Sequence, residues 1–264
     1  MAMRLTWLGH ATILLEASGT RILTDPVLRG RVAHLVRHGP VPPVPTGLDA
    51  VLLSHLHRDH ADVPTLRRIE QHVPVIGPGG TATALRRARR TKVLEVTVGD
   101  VIDLASDVRV RAVPARHDVR RSPVGGADSE ALGFVVEGRS RVYFAGDTDL
   151  FDGMADVGAG GLDVALLPVW GWGAHIGPGH LDPERAAHAV ALLRPRVAVP
   201  VHWGTFLPIG MRRRLGHLLR TPGPDFAAHV AELAPEVRTT VLAPGEAFDL
   251  DPTPSRPPSR GSAP

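Results

Sequence analysis

The sequence contains no cysteine. No disulfide, thiolate ligand or cysteine nucleophile is therefore available, and any metal site must be built from His, Asp and Glu. Lysine is almost as scarce: of 30 basic residues only Lys92 is one, so positive charge is carried on arginine. Against 27 acidic residues the net charge is +3, too small to imply nucleic acid as a partner. No stretch approaches the roughly 20 apolar residues of a membrane helix, so no stable membrane insertion is expected. The apolar run near the N-terminus is broken by His10 and Glu16, and no small-residue cleavage site follows it. It reads as a first strand rather than a secretion signal, and the expected location is cytoplasmic.

What is present is apolar material, 43% of 264 residues, enough to bury a substantial core. Short β-type runs recur at residues 5–8, 11–15, 21–24, 50–53, 93–96, 108–113, 132–136, 142–145, 164–167 and 197–201. Helix-period segments lie between them at 63–71, 81–89, 183–193, 212–219 and 225–233. The third opens with Asp182 as N-cap and Pro183 at the first helical position. The mixture predicts an α/β (α+β) fold. With no internal repeat and no internal linker, one domain is expected over residues 1–250, followed by a disordered Pro/Ser-rich tail over 251–264. Arginine clusters at 86–90 and 212–214 read as solvated helix faces, and the Pro-rich stretch 32–45, with His34 and His38, as a surface loop.

The informative stretch is Ser54-His55-Leu56-His57-Arg58-Asp59-His60, three histidines and an aspartate directly after an apolar strand. Alternate residues of an extended segment point the same way, so His55 and His57 can face one ion, and Asp59 and His60, at the turn, a second. Imidazole and carboxylate form the donor set that suits zinc, with manganese or iron as alternatives. Two ions need further ligands, and further strand ends supply candidates: His117 after residues 108–113, Asp147 after 142–146 and His202 after 197–201.

These elements resemble the metallo-β-lactamase superfamily of two-metal hydrolases. The resemblance rests on Ser54-His55-Leu56-His57-Arg58-Asp59-His60, His117, Phe144-Ala145-Gly146-Asp147-Thr148 and Val201-His202-Trp203-Gly204-Thr205-Phe206, with Leu8-Gly9-His10-Ala11-Thr12 and Leu23-Thr24-Asp25-Pro26 similar to the opening strands. Within the superfamily the pattern is most similar to the branch of ascorbate-phosphate lactonase and N-acyl phosphatidylethanolamine phospholipase D. The resemblance implies a four-layer αββα sandwich. It also implies two divalent ions, His55, His57 and His117 on the first, Asp59, His60 and His202 on the second, and Asp147 bridging them. His10 and Asp25 are expected behind the ligands, orienting them. The chain lacks the cysteine that antibiotic-cleaving members use, which argues against β-lactams as native substrates.

The expected activity is metal-dependent hydrolysis, with two zinc-like ions sharing and acidifying a water, and Asp59 and Asp147 holding it in line. The substrate is expected to be a small molecule, a lactone or phosphate-bearing ester, with a phosphodiester as the alternative. An iron-binding redox protein and a non-catalytic metal-binding module are the other readings. Trp170, Trp172, Arg116 and His180 are candidate substrate contacts, with His180 also a candidate proton donor to the leaving group.

Overall fold

The computed structural model describes residues 3–105, 107–118, 130–171, 173 and 176–250. The proposed tail, Trp172, His175, Arg120 and Arg121 lie outside them.

In strands Thr12–Ala17, Thr20–Thr24 and Ala50–Leu52, successive apolar side chains leave on opposite faces. Ile13, Leu15, Ile22, Ala50 and Leu52 join one buried cluster, whereas Leu14, Leu23 and Val51 join another. Both faces are covered, which is why these strands read as continuous apolar runs instead of alternating ones. The first sheet has the order Ala247–Leu250, Met3–Gly9, Thr12–Ala17, Thr20–Thr24, Ala50–Leu52, Val75–Gly77, Val93–Glu95, and is parallel from Thr20–Thr24 onward. The second runs Arg238–Thr239, Val197–Val201, Val164–Pro168, Arg141–Phe144, Leu132–Glu137, Val108–Pro114, Val101–Ala105, parallel through its first four strands.

Trp7, Ile13 and Leu15 of the first sheet share one core with Val110, Phe134 and Val136 of the second. Helices Pro183–Leu193 and Pro222–Leu233 add Ala187, Val190, Phe226 and Val230 to it. On the far side of the first sheet, Leu66, Ile69 and Leu85 cover Leu23, Val51 and Leu53. The result is helices, sheet, sheet, helices. No helix among the described residues is long and apolar enough to cross a membrane.

Asp182 caps its helix as expected, its carboxylate accepting from Arg185 N at 2.8 Å. Other helices differ from the sequence reading. The first stops at Val63–Leu66, and segments 81–89 and 212–219 finish as 3-10 turns, Arg86–Ala88 and Gly216–Leu219. The last begins early, at Pro222, because proline fits a first helical turn. Arg90, read as part of a solvated face, is buried and donates to the carbonyls of Ile69, Glu70 and Val73.

The stretch expected as a plain loop contains two short strands, Arg31–Val32 and Leu35–Arg37, which form a third sheet with Phe206–Pro208. Arg37 fastens it to the core. Its buried guanidinium donates to the carbonyls of Val27, Leu8 and Arg29 at 2.6, 3.3 and 3.1 Å and lies 4.7 Å over the Phe206 ring. Burial lowers its pKa to about 10, so it stays charged at neutral pH. Arg37→Met keeps most of the stem but leaves three carbonyls without this donor. It should cost about 2 kcal/mol or more in urea unfolding; a change below about 0.5 kcal/mol would show that the small sheet holds without it.

Candidate metal centre

Each candidate ligand leaves from a strand end or the turn beyond it. Strand Ala50–Leu52 leads to Ser54 and His55, and the chain then turns, His60 N and Ala61 N both donating to His57 O at 3.0 and 2.8 Å. Strand Arg141–Phe144 leads to Gly146 and Asp147. Gly146 has φ +61°, and a Cβ there would lie 2.4 Å from the Cβ of Ser54, so only glycine lets the aspartate turn close against the histidine turn. Strands Val108–Pro114 and Val197–Val201 deliver His117 and His202. His10, Asp25 and His202 are left-handed at φ +55°, +32° and +67°, each a strain of about 1 kcal/mol or more that the surrounding structure must hold. A backbone bond from His202 N to His10 O, 3.0 Å, ties the two sheets together there.

Two groups of donor atoms result. In the first, His55 Nε2 lies 2.9 Å from His57 Nδ1, which lies 3.2 Å from His117 Nε2. In the second, His60 Nε2 lies 3.3 Å from His202 Nε2 and 3.7 Å from Asp59 Oδ2. Asp147 Oδ2 is 3.4 Å from His60 Nε2, and its Oδ1 is 3.2 Å from His202 Nε2. Asp147 also groups with His117 and His180 as donors within 4.8 Å of one another, so it touches both sets.

The protons decide what these contacts are. His60 Nδ1 donates to Asp25 Oδ2 at 2.7 Å, His117 Nδ1 to Gly179 O at 2.8 Å and His202 Nδ1 to Trp170 O at 2.5 Å. His55 Nδ1 donates to Ser54 Oγ at 3.0 Å, which itself donates to Asp25 Oδ2 at 2.5 Å. In the neutral tautomers these acceptors select, all four Nε2 atoms are bare lone pairs, those of His60 and His202 aimed at each other and at Asp147, those of His55 and His117 at His57 Nδ1. Acceptors facing acceptors repel unless a cation lies between them. Nitrogens 2.9–3.3 Å apart match the edge, about 3.3 Å, of a tetrahedron with metal–nitrogen bonds of about 2.0 Å. The donors therefore fit divalent cations.

The protein's own electrostatics agree. Burial opposes charge on His60, but Asp147, Asp25 and Asp59 outweigh it and raise its pKa well above the ordinary value. A positive charge is wanted at that place. Asp59 and Asp147 are held well below the carboxylate range despite burial, Asp59 chiefly by His60 and His10, Asp147 chiefly by His202 and His60.

The cluster opens into a cavity of about 860 Å³ whose wall includes His34, Arg58, Arg116, His117, Asp147 and His180.

Comparison with known proteins places this geometry. The family model described as beta-lactamase superfamily domain matches residues 20–203. The UPF0173 metal-dependent hydrolase of Opitutus terrae is 34% identical over 257 residues, covering 94% of this chain and all of that protein. The chain belongs to the UPF0173 metal-dependent hydrolases of the metallo-β-lactamase superfamily. A Thermus thermophilus UPF0173 metal-dependent hydrolase is likewise 34% identical, covering 93% of this chain and 98% of its own. The structure of Igni18, described as a metallo hydrolase from Ignicoccus hospitalis, superposes with a TM-score of 0.70 at 23% identity, covering 95% of this chain and 99% of that one, a likeness of fold.

In this UPF0173 hydrolase the remaining candidates fall in different places. Asp25 lies directly behind His60 and Ser54, accepting also from Ser54 N at 2.7 Å. His10, expected behind the ligands as an orienting residue, contacts two of them: its Nε2 is 3.3 Å from Asp59 Oδ2 and its ring 4.0 Å from that of His202. His180 and Arg116 line the cavity, His180 Nε2 being 3.6 Å from Asp147 Oδ2. Trp170, expected as a substrate wall, does not line it. Its side chain is buried in the core, with Nε1 donating to Gly173 O at 2.9 Å, and only its carbonyl serves the site. Sequence reading missed Ser54, Gly179, Arg58 and the hairpin carrying His34. Arg58 was legible in principle, lying between His57 and Asp59; the other three act through tertiary contacts without a local signature.

Two outcomes are expected. Asp25→Ala removes the acceptor that orients His60 and should weaken metal affinity 10- to 100-fold, read by competition with a chromogenic chelator; unchanged affinity would remove Asp25 from the site. In metal-free protein, burial lowers the pKa of His10, His55, His57, His117 and His202, His57 to about 4. Between the ordinary histidine value, about 6.5, and about 4 the unfolded chain then binds more protons than the folded one, so these five lose stability as pH falls. His60, raised, has the opposite sign, but its contribution changes above that window, where the folded chain keeps a proton that the unfolded chain has lost. The Tm of chelator-treated protein should drop across that window; a flat or rising Tm would contradict the neutral cluster.

Proposed function

We propose that this hydrolase is binuclear, holding two zinc ions and cleaving a lactone or phosphate-bearing ester of a small molecule. One observation carries the reading: the Asp147 carboxylate lies 3.4 and 3.2 Å from His60 and His202 of the second donor group and also groups, within 4.8 Å, with His117 of the first. His55, His57 and His117 would hold one ion and Asp59, His60 and His202 the other. Manganese or iron would also accept these donors. When bound, the ions supply Lewis-acid polarisation and lower the pKa of water towards about 7.

The chain's own groups do the rest. Asp59 lines the cavity, its Oδ2 3.3 Å from His10 Nε2, and with Asp147 it is placed to hold the attacking water in line. His180 Nε2, beside Asp147 Oδ2, is placed to give a proton to the leaving oxygen. Arg58 and Arg116 are exposed on the cavity wall and form no ion pair among the described residues. Arg116 is fixed by its backbone, its N donating to Thr148 Oγ1 and its carbonyl accepting from Asp149 N, both at 2.9 Å. Two unpaired guanidinium groups at the mouth favour an anionic substrate. The same pair makes a phosphodiester the second reading.

Elemental analysis of the reconstituted protein should give about two zinc ions per chain, falling towards one or none in Asp147→Ala, and Asp59→Ala should abolish turnover on whichever of lactone, phosphomonoester or phosphodiester the parent cleaves. No bound metal after reconstitution, or full turnover by Asp59→Ala, would overturn the reading. A strongly coloured iron-loaded preparation would redirect it to redox chemistry, and bound metal without turnover on any panel to a non-catalytic module.

A further inference from the structure

Strand Leu35–Arg37 joins two cavities. His34 and Leu35 line the catalytic one, while His38, directly after the strand, lines a second of about 560 Å³. Into this second cavity come Arg212 and Arg213 from helix Arg212–Leu215, and His217 and Arg220 from the turn that follows. Gly204 and Gly216 leave part of its surface without side chains. None of its lining residues is acidic. The backbone at His38 is fixed, its N donating to Thr205 O at 2.7 Å.

The charge here is uncompensated, as at Arg58 and Arg116 on the wall of the catalytic cavity and unlike that of many other arginines. Arg4, Arg21, Arg29, Arg141, Arg185 and Arg196 all meet carboxylates, and Arg37 and Arg90 meet carbonyls. Arg212, Arg213 and Arg220 form no ion pair among the described residues. Burial and the nearby Arg212 both disfavour a proton on His38. A solvated helix face would account for guanidinium groups pointing outward from one helix. It does not account for His38, from the end of a separate strand, lining the same cavity as Arg212, Arg213, His217 and Arg220, where like charges repel.

We propose that this cavity is a second ligand site, separate from the metal centre, for a small, multiply charged oxyanion of the phosphate class, such as a phosphorylated metabolite. A guanidinium fork can pair with phosphate oxygens in planar, bidentate fashion, the three arginines lining the cavity are exposed and available to do so, and no carboxylate there requires a bridging cation. The site is independent of the metal ions and of the reaction.

Calorimetric titration of inorganic pyrophosphate into the full chain, stripped of metal with EDTA and then dialysed, tests it. Saturable binding at one site per chain is expected, weaker at high salt. Affinity should fall by about tenfold or more in Arg212→Ala/Arg213→Ala/Arg220→Ala and remain in Arg58→Ala/Arg116→Ala. Thermal melts of each variant check folding, and Arg212→Gln/Arg213→Gln provides a milder second variant with a smaller loss. Absence of saturable binding would overturn the proposal, as would equal affinity in the folded triple variant. So would tight, salt-sensitive binding of a single-stranded oligonucleotide with none of pyrophosphate, which would make the surface a nucleic-acid contact.

Discussion

Bare lone pairs aimed at one another in a buried space are the constraint on which this molecule is built. Four imidazole Nε2 atoms, His57 Nδ1 and two carboxylates converge, the Nδ1 protons of His55, His60, His117 and His202 being engaged elsewhere, on Ser54, Asp25, Gly179 O and Trp170 O. Such an arrangement is unfavourable on its own and becomes favourable with cations in it, so folding and metal binding are linked. The strain around it is in the same place. Left-handed His10, Asp25 and His202, and the Gly146 contact with Ser54, are needed only because four separate strand ends must deliver side chains to one point.

Much of that point was legible in the sequence, for a physical reason. A strand buried on both faces reads as an unbroken apolar run, and an abrupt change to His-x-His-x-Asp-His at its end has few structural explanations. His117, Asp147 and His202 were visible by the same rule. What escaped was whatever depends on how a turn is aimed in three dimensions. Trp170 is aromatic and next to the site in sequence, yet its ring turns into the core and its carbonyl faces His202. His10 was expected near the ligands, but that it meets Asp59 and His202 in particular depends on how the two sheets come together. The hairpin at residues 31–37 was hidden because its strands have two and three residues, too short to show a period. The helix ends were misjudged where the last turn tightens to 3-10 geometry, which composition does not signal.

The site divides into a frame and a wall that obey different rules. In the frame, two of the acceptors that fix imidazole protons are main-chain carbonyls, so their function survives changes of side chain at those positions. Asp149 steadies the same region, accepting from Gly179 N at 3.2 Å and pairing with Arg185. The wall, by contrast, consists of His34, Arg58, Arg116 and His180, side chains that carry no fold and can vary with the molecule they face. Igni18, at 23% identity, keeps the fold, as expected where packing sets architecture and a few exposed groups set chemistry.

The donor set, nitrogen and oxygen throughout, has a consequence for where such a centre can operate. Thiolate sites are lost when sulfur is oxidised and are captured by soft ions such as Cu(I). A centre of imidazole and carboxylate offers peroxide no thiol to attack and gives monovalent copper no special grip. With zinc, which has no redox chemistry of its own, its occupancy would follow acidity and the supply of the ion, whether its surroundings are reducing or oxidising.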